Sequence, residues 1–131
     1  MSHHKRCPFC HVELGRILNQ SALAIALTDA FPVSEGHCLI IPRRHVTSWF
    51  ETTDNERREM MHLLDEARNS IRTRYDPPGF NIGINDGLAA GQTIAHLHVH
   101  LIPRYTGDVA DARGGVRWVL PTRADYWSRH K

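Results

Sequence analysis

Residues 92–104 read QTIAHLHVHLIPR, and the rest of the chain is organised around this stretch. His96, His98 and His100 alternate with aliphatic residues, which is the two-residue period of a β-strand. The three imidazoles should therefore share one strand face, roughly 7 Å apart, while the aliphatic side chains pack on a core. The pattern predicts a row of histidines facing a cleft, where rings in different protonation states can bind a ligand or ligate a metal.

The composition is that of an ordinary globular protein. The chain has 131 residues, 41% hydrophobic and 23% charged, which predicts a single domain over residues 1–131 with its own core. The net charge is +2 and the basic residues are scattered, which gives no support for nucleic-acid binding. No apolar run approaches a membrane span, and no apolar leader follows Met1. We expect a cytoplasmic protein whose partners include neither nucleic acid nor membrane.

A Cys-x-x-Cys motif, Cys7-Pro8-Phe9-Cys10, precedes the predicted strands. With Cys38 the chain has three cysteines, which do not form a disulfide framework, so in a reducing compartment the pair indicates metal or redox use. A redox dithiol is disfavoured because no strand precedes the motif and no clear helical pattern follows it. Half of a zinc site is favoured over a chance pair in a mobile terminus, and it needs two further ligands.

Two strand patterns follow this motif. Residues 23–27 and 37–41 are apolar runs joined by a turn over 33–36, which predicts a hairpin. Pro42 closes the second run, since proline removes a donor from the strand ladder. Residues 46–51 are then predicted to form a connector or a short helical turn.

One long helix is predicted over about residues 54–74. Thr53 and Glu56 have the spacing of a capping box at its start, and Asp76-Pro77-Pro78-Gly79 ends it. Apolar residues recur along it at helical spacing, and we interpret this stripe as core packing rather than a partner surface. The stripe comprises Met60, Leu63, Leu64, Ala67 and Ile71.

Residues 80–85 alternate again, which predicts a strand that leads through the small-residue loop 86–91 into the histidine stretch. The apolar residues of this strand should pack beneath the helix: Phe80, Ile82 and Ile84. If the two strands pair as a hairpin, Gly83 and Asn85 share the histidine face and leave room for a ligand there.

The chain becomes irregular from about residue 107. Residues 114–120 are predicted to form one more strand. Trp118 or Trp127 would anchor that strand or a contact between subunits.

Packing alone is a poor explanation for three alternating histidines, because each buried imidazole nitrogen needs a hydrogen-bond partner. Two chemical interpretations remain open. In one, the His-x-His pattern ligates a catalytic metal that keeps a water in an open position. In the other, one histidine attacks phosphorus while Gly91, Gln92 and Thr93 offer donors to the phosphoryl oxygens. The second is favoured, since the histidine stretch contains no carboxylate.

Gly91-Gln92-Thr93 followed by the histidine stretch resembles the signature of the histidine triad family of nucleotide hydrolases and transferases. Further segments match that family in chain order: Asp29, Gly36-His37, Arg43-Arg44-His45 and Asn85-Asp86-Gly87. The resemblance spans about residues 7–106. It implies an α+β fold with an antiparallel sheet of about five strands, one long helix and a short helical connector, often paired into a homodimer.

The resemblance also implies a role for each matching residue. His98 would be the nucleophile on the α-phosphate of a nucleotide, forming a nucleotidyl-histidine intermediate that water then hydrolyses. His100 would hydrogen-bond the phosphate, while His37 and His96 would complete the catalytic group. The nucleotide would contact Asp29, Asn85, Gly91, Gln92, Thr93, His98 and His100, with Asp29 accepting from the ribose hydroxyls.

A branch of the same family resembles the galactose-1-phosphate uridylyltransferases in carrying a zinc site of two cysteines and two histidines. By motif position the ligands would be Cys7, Cys10, His45 and His96. Such a closed tetrahedral site is structural. It would withdraw His96 from proton transfer, so that the triad works as a pair with a supporting third ring.

The implied activity is hydrolysis at the α-phosphate of a nucleotide, with adenine or another purine as its base. The segments 86–93 and 103–108 look more like the hydrolases of dinucleoside polyphosphates such as diadenosine tetraphosphate. A nucleoside phosphoramidase shares the triad and its mechanism and differs in the leaving group. A non-catalytic nucleotide-binding module and a metal-dependent hydrolase are competing hypotheses.

Overall fold

The computed structural model describes residues 6–128 and contains one antiparallel sheet of five strands. The strands are β1 (Ile17–Gln20), β2 (Ala24–Thr28), β3 (Cys38–Pro42), β4 (Gly79–Ile84) and β5 (Val99–Arg104). They lie in the order β1-β2-β3-β5-β4, which leaves β1 and β4 at the two edges. With one long helix against the sheet, the predicted α+β fold is confirmed.

The long helix α1 (Asp54–Tyr75) has nearly the bounds that the sequence predicts. The Thr53 hydroxyl accepts from the Glu56 N–H at 3.1 Å and the Glu56 carboxylate accepts from the Thr53 N–H at 2.9 Å, so the capping box forms. Asp76 ends the helix in the left-handed region, with φ 48°. No helix within residues 6–128 is long and apolar enough to cross a membrane.

The remaining helical elements are short. They are the four-residue helix α2 (Pro121–Ala124) and 3-10 turns at Leu14–Arg16, Trp49–Glu51, Leu88–Ala90 and Gly115–Val119. The turn at Trp49–Glu51 confirms the predicted short helical connector between the hairpin and α1.

Each face of the sheet has its own core. On one face the apolar stripe of α1 packs against alternate residues of the central strands, including Ala26, Ile40 and Leu101. On the other face a second cluster forms from Ile25, Leu27, Leu39 and Ile41 together with Cys7 and Phe9. The N-terminal segment with its Cys-x-x-Cys motif therefore packs on the face opposite the helix.

The strand register places His100 on this second face. His100 pairs with Leu39 of β3 on one side and with Gly83 of β4 on the other. A Cβ built on Gly83 would meet no atom within 4 Å, so this position leaves open space beside the imidazole. The predicted hairpin between β4 and the histidine stretch is confirmed, and it forms part of the floor of a cleft.

The histidine stretch is less regular than its alternation predicts. β5 begins only at Val99, so His96 and His98 lie before the strand in a bent segment. The backbone of this segment forms a hydrogen bond outside the sheet: the Leu97 N–H donates to the Val46 carbonyl at 2.7 Å. The segment is thus tied to the connector that follows β3.

Three details at the sheet edges differ from expectation. β1 was not predicted, and its mostly exposed residues explain why an apolar pattern is missing there.

Ile82 does not pack beneath α1 but is 51% exposed, because β4 is an edge strand, whereas Phe80 and Ile84 do pack on the helix-side core. The strand predicted over 114–120 is wrong, since Gly115–Val119 forms a 3-10 turn that follows Gly114 in the left-handed region.

Candidate active site and metal centre

A cleft of about 380 Å³ opens on the sheet face opposite α1. Its apolar lining includes Phe9, Phe31, Val33, Leu39 and Ile94. Its polar lining includes Asp29, His37, Asn85, Thr93, His98 and His100. The volume falls within the range of about 300–1,000 Å³ that is usual for small-molecule sites, and the division into an apolar and a polar part suits a ligand with both characters.

His37 and His100 form a hydrogen-bonded pair whose tautomers follow from the backbone. The Val33 N–H donates to Nδ1 of His37 at 3.1 Å, so the hydrogen of the neutral His37 ring is on Nε2. That Nε2 lies 2.9 Å from Nδ1 of His100 and 3.4 Å from the Asp29 carboxylate. His100 therefore accepts through Nδ1 and keeps a donor on Nε2, which is available to a ligand oxygen.

The protonation of this pair agrees with its tautomers. Burial lowers the pKa of His37 below the usual histidine value, and the Asp29 charge opposes that shift. Burial also lowers the pKa of His100, helped by the neighbouring His98 and His37 and opposed by Asp29. Both rings are therefore neutral at pH 7, as a chain of single N–H donors requires. We call Asp29, His37 and His100 the relay cluster.

His98 is oriented by the backbone of its own segment. Its Nδ1 lies 2.8 Å from the His96 carbonyl, and because a carbonyl only accepts, Nδ1 carries the hydrogen. The lone pair of the neutral ring is then on Nε2. The His98 side chain lines the cleft although only 8% of the residue is exposed. This tautomer of the neutral ring leaves the lone pair on the nitrogen that is not tied to the backbone, as a histidine nucleophile requires.

The four predicted zinc ligands meet at one point, and we call them the metal cluster: Cys7, Cys10, His45 and His96. Nδ1 of His96 lies 3.3 Å from the sulfur of Cys7 and 3.6 Å from that of Cys10, while Nδ1 of His45 lies 3.1 Å from Cys10. Usual zinc bond lengths at tetrahedral angles separate sulfur and nitrogen ligands by roughly 3.5 Å. The residues therefore fit a structural zinc ion.

The chemistry of the donor set supports the same conclusion. Nε2 of His96 donates to the Pro42 carbonyl at 2.9 Å, so the lone pair of this ring is on Nδ1, which faces the thiols. Burial and the neighbouring Cys7 raise the pKa of Cys10 to about 11. The Cys10 thiol in this environment needs a nearby cation before it ionises, and a bound metal would supply that charge.

The relay cluster also brings three ligand-type atoms within 4.8 Å of one another, but its hydrogen bonds favour a different use. A metal on Nε2 of His37 would need a lone pair at the atom that carries the hydrogen. Moving that hydrogen to Nδ1 would place two hydrogens facing each other and break the hydrogen bond from the Val33 N–H. These contacts fit a hydrogen-bond relay better than a metal site.

The predicted phosphate-binding residues divide into two groups. Asn85 and Thr93 line the cleft, whereas Gly91 and Gln92 are not among its lining residues. The Gln92 amide is buried and fully engaged: its nitrogen donates to the Thr47 and Ile94 carbonyls at 2.9 and 3.1 Å, and its oxygen accepts from the Gly87 N–H at 2.9 Å. Gln92 thus braces the loops around the cleft.

Sequence reasoning did not identify the apolar part of the cleft. Apolar residues have many uses, and the lining comes from four separate segments of the chain. It also missed the Arg44–Glu56 ion pair at 2.8 Å, which ties the residue before His45 to the start of α1. The only sequence signal for this ion pair was the capping-box position of Glu56, because local spacing does not reveal the long-range partner of a carboxylate.

A larger cavity of about 550 Å³ lies between the end of β5 and the tail, and none of the histidines within residues 6–128 lines it. Its main cation, Arg104, already donates to Asp108 at 2.8 Å and to Asn81 at 2.6 Å. With that guanidinium engaged, the charge available to an anionic ligand is small. The histidine cleft is the better candidate despite its smaller volume.

Comparisons with known proteins agree with this geometry. The HIT domain family model matches residues 14–107. The AP-4-A phosphorylase of Mycobacterium tuberculosis is 37% identical over 97 residues, covering 73% of this chain and 50% of that protein. The adenosine 5'-monophosphoramidase hnt1 of Schizosaccharomyces pombe is 32% identical, covering 75% and 74%. A Zn-bound histidine triad family protein from Mycobacterium smegmatis has a TM-score of 0.73 at 29% identity, covering 82% of this chain and 81% of its own.

Proposed function

The chain belongs to the HIT domain family, and on that premise we propose that it is a hydrolase that cleaves nucleotides at the α-phosphate through a nucleotidyl-histidine intermediate on His98. The observation that carries this proposal is the hydrogen bond from His98 Nδ1 to the His96 carbonyl. It leaves the lone pair on Nε2 of a ring that lines the cleft. A non-catalytic binding module would not require that tautomer.

The reaction would proceed in two displacements. Nε2 of His98 attacks the α-phosphorus, a phosphorus–nitrogen bond forms, and the bond to the leaving group breaks with its electron pair departing on that group. His100 donates from Nε2 to a phosphoryl oxygen, since His37 fills its Nδ1. Water then attacks phosphorus, the phosphorus–nitrogen bond breaks, and His98 regains its lone pair. The proton lost by water leaves with the products.

The cleft would divide the nucleotide by polarity. Phe9, Leu39 and Ile94 offer an apolar wall for the base, and the histidine end takes the phosphate. Asp29 lines the same cleft and would accept from ribose hydroxyls through the oxygen near His37, while its other oxygen accepts from the Phe31 N–H at 2.8 Å. The polar residues are too few to specify a base, so we propose a purine nucleotide without choosing between purines.

We propose dinucleoside polyphosphates, diadenosine tetraphosphate in particular, as the substrate class. The support is the similarity to the AP-4-A phosphorylase and to a bis(5'-nucleosyl)-tetraphosphatase of Schizosaccharomyces pombe that is 32% identical. Nucleoside phosphoramidates are the second candidate, supported by the 32% identity to hnt1. The two classes differ in the leaving group.

A substrate panel with trapping of the intermediate tests the function. The protein is mixed with diadenosine tetraphosphate or adenosine phosphoramidate carrying labelled α-phosphorus, quenched in base and digested. We expect label on the peptide that contains His98 and release of AMP, and faster turnover of the tetraphosphate. Tight AMP binding with neither adduct nor turnover would show that the protein is a binding module instead.

We propose that the metal cluster holds a structural zinc ion, which supplies folding free energy and takes no part in the reaction. Chelation should then lower the free energy of unfolding. Loss of activity with an unchanged free energy of unfolding would instead favour a metal-dependent hydrolase. Because thiol ligands persist in a reducing compartment, we also infer a cytoplasmic location.

We propose a homodimer as the working assembly. β4 is an edge strand whose outer residue Ile82 is 51% exposed, and an unpaired edge with an exposed apolar residue can pair with a second copy. The mass in solution, measured by light scattering at the protein concentration of the assay, tests this directly. A mass of one chain would reject it.

A further inference from the structure

We propose that Phe9 is a positioning residue that couples occupancy of the metal cluster to the orientation of the His98 ring. Phe9 lies inside the Cys-x-x-Cys motif, with a thiol ligand two residues before it and another directly after it. Its ring contacts His98, so the same short segment serves both the metal cluster and the cleft. The consequence for turnover rests on the proposed function, whereas the coupling itself does not.

The contacts of Phe9 are specific in geometry. Its ring centroid lies 5.1 Å from that of His98 with the planes tilted by 53°, and 5.8 Å from that of His96 in an edge-to-face arrangement. Phe9 is only 5% exposed. Aromatic pairs at these separations have preferred orientations, so moving Phe9 changes the orientation that the His98 ring prefers.

His98 depends on such a contact because its hydrogen bonding fixes only one end of the ring. The bond from Nδ1 to the His96 carbonyl sets the tautomer, and the plane of the ring is then set by its neighbours. One neighbour is His100, with a centroid 5.1 Å away, which is anchored by His37. The other is Phe9, so the nucleophile lies between a hydrogen-bonded ring and a ring carried by the metal-binding segment.

The segment that carries Phe9 packs in the second apolar cluster and is also held at both ends by ligands of the metal cluster. The Cys10 N–H donates to the Cys7 carbonyl at 3.2 Å, which closes the segment into a tight turn. The two thiols reach His45 and His96, which come from distant parts of the chain. A bound metal joins these four side chains, and without it the turn holding Phe9 loses its strongest attachment to the sheet.

The Phe9→Ala variant separates this role from metal binding, because all four ligands remain. We expect it to retain one zinc per chain while the rate of adduct formation on His98 falls about 10²-fold, as expected for a misplaced nucleophile. Phe9→Tyr should restore most of the rate, since it keeps the ring. Phe80→Leu is the matched control: Phe80 packs half-buried on the helix-side core and should leave the rate unchanged.

A readout that needs no substrate completes the test. Ring-to-ring NOEs between Phe9 and His98 should be present in zinc-loaded protein, disappear on chelation while the NOEs between the strands of the sheet remain, and return on adding zinc. Peptide mapping after diethyl pyrocarbonate at one pH should show His98 modified at a different rate in Phe9→Ala, with no change in Phe80→Leu.

The outcomes are distinguishable from failure of the proposed function. A wild type that binds zinc and shows the NOEs but does not turn over nucleotides would reject the hydrolase proposal and keep the coupling. If Phe9→Ala does not fold, Phe9→Leu replaces it, with the same expected direction and a smaller effect. Zinc-replete Phe9 variants whose His98 modification and adduct rates match wild type would overturn the coupling.

Discussion

The metal cluster and the relay cluster each contain two histidines, which are joined by two thiols in the metal cluster and by one carboxylate in the relay cluster. Each brings at least three ligand-type atoms within 4.8 Å of one another, and each takes one histidine from residues 96–100. They also differ in the backbone group that forms a hydrogen bond with one histidine ring of each cluster. The Pro42 carbonyl takes the hydrogen of His96 and leaves a lone pair facing the thiols, whereas the Val33 N–H fills the lone pair of His37 and leaves a donor facing His100.

This difference teaches that residue type alone does not separate a metal site from a hydrogen-bond relay. A carbonyl behind a ring favours ligation, since it fixes the tautomer and raises ligand basicity. An N–H behind a ring favours donation, since it leaves the hydrogen on the far nitrogen. His98 belongs to the first type, with a carbonyl behind Nδ1, but its lone pair faces a cleft and not thiols. It is therefore placed to attack a ligand.

The largest expected effect is that of His98→Ala, which removes the lone pair at the cleft while every member of the two clusters remains in the chain. Turnover should fall by about 10⁴-fold or more, as for other removed nucleophiles, while zinc content and melting temperature stay near wild type. Steady-state hydrolysis of diadenosine tetraphosphate and metal analysis of the same sample measure both. Turnover within tenfold of wild type would refute the nucleophile assignment.

The second effect falls on the metal cluster alone. Cys10→Ser should abolish zinc binding and lower the free energy of unfolding by about 4 kcal/mol when free zinc is 1,000-fold above its dissociation constant. Denaturant unfolding with and without a chelator measures this. Cys38→Ala is the thiol control, because Cys38 is buried in the helix-side core away from the cluster.

The relay cluster supplies the opposite control. His37→Gln should keep its zinc, because no ligand of the metal cluster is changed. A His37→Gln protein that loses the metal along with Cys10→Ser would mean that the two clusters are not separate. Cys10→Ser with unchanged zinc content would remove Cys10 from the ligand set.

Short motifs singled out Cys7, Cys10 and the alternating histidines, and the resemblance added His45 and His96 as metal ligands, whereas the relay cluster was not predicted as a set. The alternation of residues 96–100 and the Cys-x-x-Cys spacing are local patterns. The tautomers could not be predicted, since they depend on the Val33 amide and the Pro42 carbonyl, which the β2–β3 hairpin brings in. The resemblance supplied the division of roles, and the hydrogen bonds supply a physical reason for it.

The fold shows the same limit. α1 was predictable because its cap, stripe and stop are all local, whereas β1 has no apolar alternation and forms because β2 offers a ladder. Ile82 looks like a core residue in sequence, and only the strand order shows that it lies on an edge strand. Both cases depend on which strands pair across the sheet, and local patterns in a single sequence do not reveal that pairing.

A smaller effect is expected from Gln92, whose side chain joins the loops beside both clusters. Gln92→Ala removes the buried amide that joins the Thr47 and Ile94 carbonyls to the Gly87 N–H, which should cost about 1 kcal/mol of stability. Thermal unfolding of the zinc-loaded variant measures the cost. A phosphate contact predicts the reverse pattern, with KM raised and stability unchanged, so the two roles are separable in one variant.

The smallest expected effect concerns the relay cluster and has a definite sign. The Asp29 charge raises the pKa of both His37 and His100, against the stronger lowering by burial. Asp29→Asn removes that charge while its side-chain oxygen can still accept from the Phe31 N–H. Both rings should then stay neutral to a lower pH. In a plot of kcat against pH, the fall of kcat on the acid side (the acid limb) should therefore move to lower pH.

That shift is read from kcat rather than from KM, because Asp29 is also proposed to bind ribose and its loss should weaken substrate binding at every pH. The limb moves only if the reaction needs the relay rings neutral, since His100 can accept from His37 only while its Nδ1 keeps a lone pair. A limb that stays in place would assign the controlling proton to a ring outside the relay cluster. A limb that moves up would mean that the reaction uses a protonated relay, and the contrast between the two clusters would then rest on charge rather than on tautomer.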